Sequence, residues 1–262
     1  MIAYASLQDR RYNYGYKGFT SIVTQFIDIA KMHYELSGNL QVFVDDPQIL
    51  ELFDRKVSIS EESKIYDAGF LYLERFFSNQ IDCKFNAHTL ANDEDLNLRS
   101  MIFNSILQVK SEKIHKFKSL RDKIIGNERV LGVQARGTDK KTEIARPQNS
   151  NILRHIDQIL SKDDSITKIF LATDDSEYLN ELSKAYGSNL VFNDSNIISP
   201  DGGPIHYGSE RSKLNEQVLS DVYILSTVDH FLYSFSNVSQ LALILGVDNH
   251  LGKTNLNLEI NS

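Results

Sequence analysis

The feature that most constrains the fold is a regular alternation of strand-like and helix-like segments that begins after Gly126. Short apolar runs alternate with longer segments in which apolar residues recur at helical spacing. The strand-like runs are 130–135, 168–173, 190–192 and 231–235, and the helical segments are 152–160, 179–186, 214–226 and 238–245. Strands that alternate with helices form parallel sheets with helices on both faces, so residues 126–262 are predicted to form a Rossmann-type α/β domain.

The first 125 residues are less regular. A glycine-containing turn at Gly15 precedes a helical apolar series over 22–33 and a strand-like run over 40–44. The rest, up to residue 125, is predicted to be mostly helical, on the apolar spacing at 70–77, 96–107 and 113–125. Because 262 residues exceed the usual size of one compact domain, we predict two α/β domains, 1–125 and 126–262, that face a cleft.

Charge and composition exclude several partners and compartments. The formal net charge of -7 argues against nucleic acid, whose phosphates attract Lys/Arg surfaces. No run approaches the roughly 20 apolar residues of a membrane helix, and residues 8–11 are polar where a signal peptide would be apolar. The single cysteine, Cys83, is not accompanied by the cysteines and histidines that form a zinc site. These observations predict a cytoplasmic protein without a transmembrane segment.

Polar residues after the predicted strands are the candidate ligand-binding residues, because loops and helix N-termini converge at that edge of a parallel sheet. Arg136 directly follows the strand 130–135, and its guanidinium can bind two phosphate oxygens. Glu143 lies in the same segment and can serve as a general base. The alternative for this cluster is an ordinary solvated turn.

Two carboxylates follow the next strand. Asp174 and Asp175 lie directly after the run 168–173, where a carboxylate can accept hydrogen bonds from a ribose or a base. Alternatively, Asp174 and Glu177 have the spacing of a helix capping box, which needs no ligand. One aspartate can cap the helix while the other binds.

Two later positions complete the candidate site. Ser236 and Asn237 precede the helix 238–245, where they can receive an anion or simply cap the helix. Asp221 lies in the helix 214–226. If Asp221 faces inward, its carboxylate can accept the N–H donors of guanine, and if it faces outward it is a solvated helix residue.

One motif has the spacing of a metal site. Asp93, Glu94 and Asp95 have the Asp-x-Asp arrangement that can hold a divalent ion on a diphosphate. They lie in a polar stretch rather than after an apolar strand, and the seven histidines are scattered. We therefore predict neither a metal ion nor another cofactor.

The second half resembles the donor-binding domain of the α-1,6-fucosyltransferases, the group that includes the core fucosyltransferase of N-glycans and the rhizobial nodulation fucosyltransferase. More distantly, it is similar to the protein O-fucosyltransferases. The matching blocks are 133–140 with Glu143 and Pro147, 170–175, and 221–226 with Asp229, Phe235 and Ser236. A weaker similarity over 13–45 places Gly18 in the glycine-rich loop of the family's first domain.

The resemblance implies a GT-B-like pair of Rossmann-type domains and an inverting, metal-independent glycosyltransferase. The implied donor is GDP-fucose, and the implied acceptor is a hydroxyl group of a glycan or lipid-linked saccharide. Arg136 and Glu143 are the implied catalytic residues, with Glu143 as the base. The implied donor-binding residues are Gly18, Gln134, Arg136, Asp139, Lys140, Asp174, Asp175, Asp221, Ser236 and Asn237. The family's Golgi members have a membrane anchor that this chain lacks, so we expect a bacterial or viral type of enzyme, cytoplasmic or peripheral at the membrane.

The chain departs from the family pattern at two positions. Gln134 stands where the motif commonly begins with histidine, and Gly137 stands where α-1,6 enzymes carry a second arginine. Arg136 is therefore the only guanidinium of the motif. Two alternatives stay open: a glycosyltransferase that uses another nucleotide sugar, and a noncatalytic protein of the same fold that binds sugar nucleotides or glycans.

Overall fold

The computed structural model describes residues 3–4, 20, 23–24, 27, 30–31, 42–43, 47–56, 93–137, 146–194 and 211–256. The chain divides into two compact units, residues 1–114 and 115–262. The domain boundary at residue 126 and the cleft between two domains stay predictions.

The described elements alternate between helices and strands. The helices are α1 Pro47–Leu52, α2 Asp93–Ile106, α3 Ser111–Ile124, α4 Asn149–Lys162, α5 Ser176–Tyr186, α6 Arg211–Leu225 and α7 Asn237–Leu245. The strands are β1 Ala3–Tyr4, β2 Val42–Phe43, β3 Phe53–Arg55, β4 Leu107–Val109, β5 Arg129–Ala135, β6 Ile166–Thr173, β7 Leu190–Phe192, β8 His230–Tyr233 and β9 Gly252–Asn255. Among the described residues, no helix is long and apolar enough to cross a membrane.

The first unit contains two short pairs of strands among its described residues. β1 and β2 are parallel, and β3 and β4 are antiparallel, with Phe53 opposite Val109. Phe53 meets Phe103 of α2 edge to face, with 5.9 Å between the ring centroids. The described residues between 20 and 31 are helical, as predicted. β3 and β4 lie in a region predicted to be mostly helical, because strands of 3 residues are too short to show an alternating pattern.

The second unit is built on a five-stranded sheet with the order β7-β6-β5-β8-β9. All the neighbouring strands pair in parallel. From the central strand β5 the chain moves outward through β6 and β7, and then returns to the other side of β5 as β8 and β9. Because β5 and β8 continue to opposite sides of the sheet, a crevice opens between their carboxyl ends.

Alternate residues of β5 face the two sides of the sheet. Leu131 and Val133 are fully buried in a core that includes residues of α4 and α5. Gly132 faces the other side, where an added Cβ atom would lie 2.8 Å from Val228, which follows α6. The predicted parallel sheet with helices on both faces is therefore confirmed.

The edge strand β9 was not predicted from the sequence. Its four residues, Gly252 to Asn255, are mostly polar, and only Asn255 is buried. β9 pairs with β8 on one side, and no described strand lies on its other side. A strand at the edge of a sheet needs less apolar surface than a central one, so it carries a weaker signal.

Candidate functional site

The carboxyl ends of β5 and β8 bring two predicted groups of site residues together. Arg136 follows β5, and Ser234 follows β8. The backbone N–H of Arg136 donates to Ser234 Oγ at 3.1 Å, and the backbone N–H of Ser234 donates to the Gln134 carbonyl at 3.0 Å. The two segments are thus fixed to each other at the point where the strand order reverses, which is where open α/β sheets bind ligands.

Gln134 is buried between these two segments, with 4% of its surface exposed. Its Oε1 accepts hydrogen bonds from Ser234 Oγ at 2.9 Å and from Ser239 Oγ at 2.7 Å. Ser239 Oγ also lies 2.7 Å from the Ser234 carbonyl. In these contacts Gln134 links β5, the segment after β8 and the first turn of α7, so its oxygen has a structural role.

Ser236 is the N-cap of α7. Its backbone is extended, and its Oγ accepts a hydrogen bond from the backbone N–H of Ser239 at 3.0 Å. Asn237 is the first residue of the helix. Capping is compatible with anion binding, because one cap satisfies only one of the first four N–H groups of a helix. The positive end of α7 therefore lies at the same edge of the sheet as Arg136.

Arg136 places a cation at this edge. The side chain is 15% exposed, and its Nε lies 4.0 Å from Asp174 Oδ2, the outer limit of an ion pair. A partly buried guanidinium attracts a phosphate more strongly than one in water, because the local dielectric constant is lower. The position of Arg136 therefore suits a phosphate-binding residue.

The two carboxylates after β6 make different contacts. Asp174 Oδ1 accepts a hydrogen bond from the backbone N–H of Gly137 at 3.0 Å. Asp175 is the N-cap of α5, and its Oδ1 accepts from the backbone N–H of Glu177 at 2.8 Å. The capping box suggested by the spacing of Asp174 and Glu177 is therefore wrong by one residue: Asp175 caps the helix, and Asp174 turns toward the end of β5.

Gly137 is required by the space that Asp175 occupies. A Cβ atom on residue 137 would lie 2.0 Å from Asp175 Oδ2 and 2.8 Å from Asp175 Cβ. Gly137 is not one of the glycines with a positive φ, so the requirement is steric. While Asp175 keeps its position, this chain has no room for the second arginine of the family that it resembles.

Arg146 is a residue that the sequence reasoning missed. Its Nη2 lies 3.0 Å from Asp175 Oδ2 and 3.0 Å from Glu177 Oε2, and its guanidinium is 4.3 Å from the centre of the Tyr178 ring. These contacts are ion pairs rather than well-directed hydrogen bonds. Burial by itself would lower the pKa of Arg146, but Tyr178 and the two carboxylates raise it. The only signal in the sequence is that Arg146 directly precedes Pro147, which belongs to the resemblance.

Asp221 faces inward from α6. It is 8% exposed, and its Oδ1 accepts a hydrogen bond from Asn193 Nδ2 at 3.3 Å. Asn193 directly follows β7, is 2% exposed, and also donates to Ser220 Oγ at 3.0 Å. The alternative of a solvated helix residue is therefore wrong for Asp221. Sequence reasoning missed Asn193, because a lone asparagine after a short strand has no distinguishing pattern.

Four of the predicted site residues lie outside the described residues: Gly18, Asp139, Lys140 and Glu143. The predicted helix over 70–77 and Cys83 also lie outside them. The roles of these four site residues stay predictions.

The acidic motif 93–95 has a structural explanation. These residues form the first turn of α2, where the helix dipole favours carboxylates. Asp95 forms ion pairs with Lys31 at 3.0 Å and with Arg99 at 2.7 Å. Within the described ranges, no group of His, Cys, Asp and Glu residues could hold a metal ion.

Comparisons with known proteins agree with the fold. The family model of the alpha-(1,6)-fucosyltransferase N- and catalytic domains matches residues 96–245. A structure of the NodZ alpha-1,6-fucosyltransferase soaked with GDP-fucose is similar, with a TM-score of 0.55, 12% identity, and coverage of 87% of this chain and 89% of that chain. The selenomethionine form of the fucosyltransferase NodZ from Bradyrhizobium has a TM-score of 0.53, 13% identity and the same coverage, 87% and 89%. At these identities the two structures show a shared fold alone. No curated protein sequence matches the chain.

Proposed function

The chain belongs to the alpha-(1,6)-fucosyltransferase family, whose model matches more than half of its 262 residues, and we propose that this glycosyltransferase transfers fucose from GDP-fucose to a hydroxyl group of a glycan or of a lipid-linked saccharide. The observation that carries the proposal is the junction of Arg136 and Ser234 at the carboxyl ends of β5 and β8. There a guanidinium and the positive end of α7 lie at one crevice of the sheet, and together they suit a diphosphate.

The diphosphate of the donor occupies this junction in our proposal. Arg136 pairs with the β-phosphate, and the first turn of α7, with Ser236 and Asn237, receives a second phosphate oxygen. Asp139 and Lys140 follow Arg136 in sequence and are proposed as further donor contacts, as is Gly18. Gln134 contributes by holding the Arg136 and Ser234 segments together.

The guanine base is recognised by Asp221. A carboxylate accepts hydrogen bonds from both N1–H and N2–H₂ of guanine, whereas adenine presents an acceptor at N1. Asn193 donates to Asp221 Oδ1 and so fixes the orientation of the carboxylate. Asp174, after β6, lies on the Arg136 side of the crevice and borders the nucleoside. This arrangement predicts a preference for guanine nucleotides.

The transfer step is a single displacement with inversion. The acceptor oxygen attacks the anomeric carbon of fucose on the face opposite GDP, and the bond from this carbon to the β-phosphate oxygen breaks. The proton of the acceptor hydroxyl passes to Glu143, and GDP leaves with the electron pair. Arg136 offsets the negative charge that grows on the β-phosphate, as does the positive end of α7. The proposed reaction therefore needs no metal ion.

Donor turnover in the presence of a chelator tests this proposal. GDP release from GDP-fucose is compared with nucleotide release from GDP-mannose, UDP-galactose and dTDP-rhamnose, for the unsubstituted protein and for Glu143→Gln. We expect GDP-fucose to be turned over fastest with the chelator present. Glu143→Gln should lose turnover and still bind GDP, because a base acts on the chemical step.

The matched control is Glu181→Gln, which removes a carboxylate that pairs with Lys184 on the surface of α5. It should leave turnover unchanged. Faster turnover of another sugar nucleotide would show that the donor assignment is wrong. GDP binding without turnover of any donor would favour a noncatalytic protein of this fold.

A further inference from the structure

Gly137 and Arg146, the described residues on either side of 138–145 in the sequence, contact two neighbouring carboxylates. The backbone N–H of Gly137 donates to Asp174 Oδ1 at 3.0 Å, and Nη2 of Arg146 lies 3.0 Å from Asp175 Oδ2. We propose that Asp174 and Asp175, here called the carboxylate anchor, hold Gly137 and Arg146 in register for fucosyl transfer, with Asp175 and Arg146 acting as positioning residues. This inference rests on the proposed function.

The carboxylate anchor is itself fixed to the sheet and to α5. The backbone N–H of Asp175 donates to Thr173 Oγ1 at 3.1 Å, and Thr173 Oγ1 donates to the Ala135 carbonyl at 2.7 Å. Asp175 Oδ1 is engaged by the backbone N–H of Glu177. Both oxygens of Asp175 therefore have protein partners, one in the helix cap and one in Arg146. This is the pattern of a structural support rather than of a ligand contact.

The Arg146 end is supported independently of Asp175. The guanidinium stacks on the ring of Tyr178, which is fully buried in the first turns of α5. The Tyr178 hydroxyl donates to the carbonyl of Pro147 at 2.6 Å. Residues 146 and 147 are thus held by one side chain through two different contacts. Burial raises the pKa of Tyr178, so its hydroxyl keeps the proton that it donates.

The anchor should affect the rate of transfer because of where Glu143 stands in the sequence. Glu143, the proposed base, lies between the two anchored residues Gly137 and Arg146. A catalytic group must be held close to its productive geometry, and a displacement of about 1 Å can lower a rate about 100-fold. Loosening Arg146 should therefore reduce the rate of the chemical step. The Kd for GDP should change little, because the proposed donor contacts Asp139 and Lys140 are next to the other anchored residue, Gly137.

Asp175→Asn tests the anchor with the least disturbance. Asparagine keeps an oxygen that can cap α5, because Asn and Asp are comparable N-caps, but its amide cannot pair with Arg146. We expect GDP release from GDP-fucose to fall about tenfold or more, with the Kd for GDP within about twofold of the unsubstituted value. Arg146→Gln removes the same ion pair from the other side and should give the same result. Glu181→Gln, in the same helix, should change neither quantity.

Two outcomes would overturn the inference. Turnover within about twofold of the unsubstituted protein in both variants would show that the ion pair does not position the reaction. A rise in the Kd for GDP that accounts for the whole loss of turnover would show that Asp175 contacts the donor instead.

A second measurement tests the anchor separately from the proposed function. Hydrogen exchange in peptides that cover residues 138–147 should become faster in Asp175→Asn than in Glu181→Gln, while residues 178–186 of α5 keep their rates. Unchanged exchange over 138–147 would contradict the anchor, whatever the chain binds. If the unsubstituted protein neither binds GDP nor releases it from GDP-fucose, the proposed function fails, and this exchange measurement still decides whether the anchor exists.

Discussion

Gly137 lies so close to Asp175 that a Cβ atom on residue 137 would be 2.0 Å from the Oδ2 atom of this carboxylate. If Asp175 turned away from Gly137, its carboxylate would lose the N-cap contact with α5 and the ion pair with Arg146. The two residues are therefore matched to each other. While Asp175 keeps this position, residue 137 has no room for a side chain.

Gly137→Ala should destabilise the protein. The added methyl group displaces Asp175, and such overpacking costs about 1–3 kcal/mol. Urea unfolding measures the difference in the free energy of unfolding. The same substitution in an Asp175→Gly background is the control, since glycine is accepted at a helix N-cap and has no Cβ atom. An equal cost in both backgrounds would show that close contact with Asp175 is not the cause.

Gln134→Met should also lower the free energy of unfolding. Methionine has a similar length but no acceptor for the hydroxyl groups of Ser234 and Ser239, and a lost buried partner costs about 1–3 kcal/mol. Gln158→Met, at an exposed position of α4, is the control and should have little effect. If both variants unfold at the same urea concentration, Gln134 is not the structural link inferred from its contacts.

Asp221→Asn should weaken GDP binding and reduce base selectivity. The loss of a charged acceptor for guanine should raise the Kd for GDP about 10-fold or more. Inosine diphosphate lacks the 2-amino group, so the difference in affinity between the two nucleotides should shrink in the variant. Asp122→Asn, on the exposed face of α3, is the control. If Asp221→Asn kept an unchanged preference for GDP over inosine diphosphate, Asp221 would not be part of the base-binding site.

His250 should make stability depend on pH. Its ring lies 5.3 Å from that of Phe231, its Nε2 is 2.8 Å from the Leu225 carbonyl, and its Nδ1 is buried without a hydrogen-bond partner in the described ranges. Burial lowers the pKa of His250 below 6.5. The unfolded chain therefore binds this proton at a higher pH than the folded protein does, and stability falls as the pH drops through about 6.5.

The measurement for His250 is the free energy of unfolding at about pH 7.5 and about pH 5.5, for the unsubstituted protein and for His250→Gln. The decrease between the two pH values should be larger for the unsubstituted protein. An identical decrease in the variant would show that His250 does not contribute to the pH dependence.

The second half of the fold was predictable because its central strands are buried on both faces. Such strands appear in the sequence as continuous apolar runs, and 130–135 and 168–173 are clear examples. Membership of the α-1,6-fucosyltransferase family was also predictable from the order of the motifs, and the family match confirms it. The short strands β3 and β4 and the edge strand β9 were not predictable, because they lack a sufficiently long apolar pattern.

The candidate site was predictable in its positions but not in its contacts. Residues that follow parallel strands lie at one edge of the sheet, so the order of elements alone places Arg136 and Asp174 near each other. The inward orientation of Asp221 and the pairing of Arg146 with Asp175 depend on residues that are far apart in the sequence. Local spacing carries no information on such contacts, and it placed the cap of α5 one residue too early.

The most direct test of the central claim is a calorimetric titration with GDP, UDP, dTDP and ADP in the presence of a chelator. It uses the unsubstituted protein, Arg136→Ala and Arg129→Ala. Arg129 lies at the opposite end of β5, where it pairs with Asp163 and Asp229. We predict selective binding of GDP, a loss of at least about 1.5 kcal/mol for Arg136→Ala, and an unchanged affinity for Arg129→Ala. Equal affinity for all four nucleotides, or an equal loss in the two variants, would contradict a GDP-sugar site at the carboxyl end of β5.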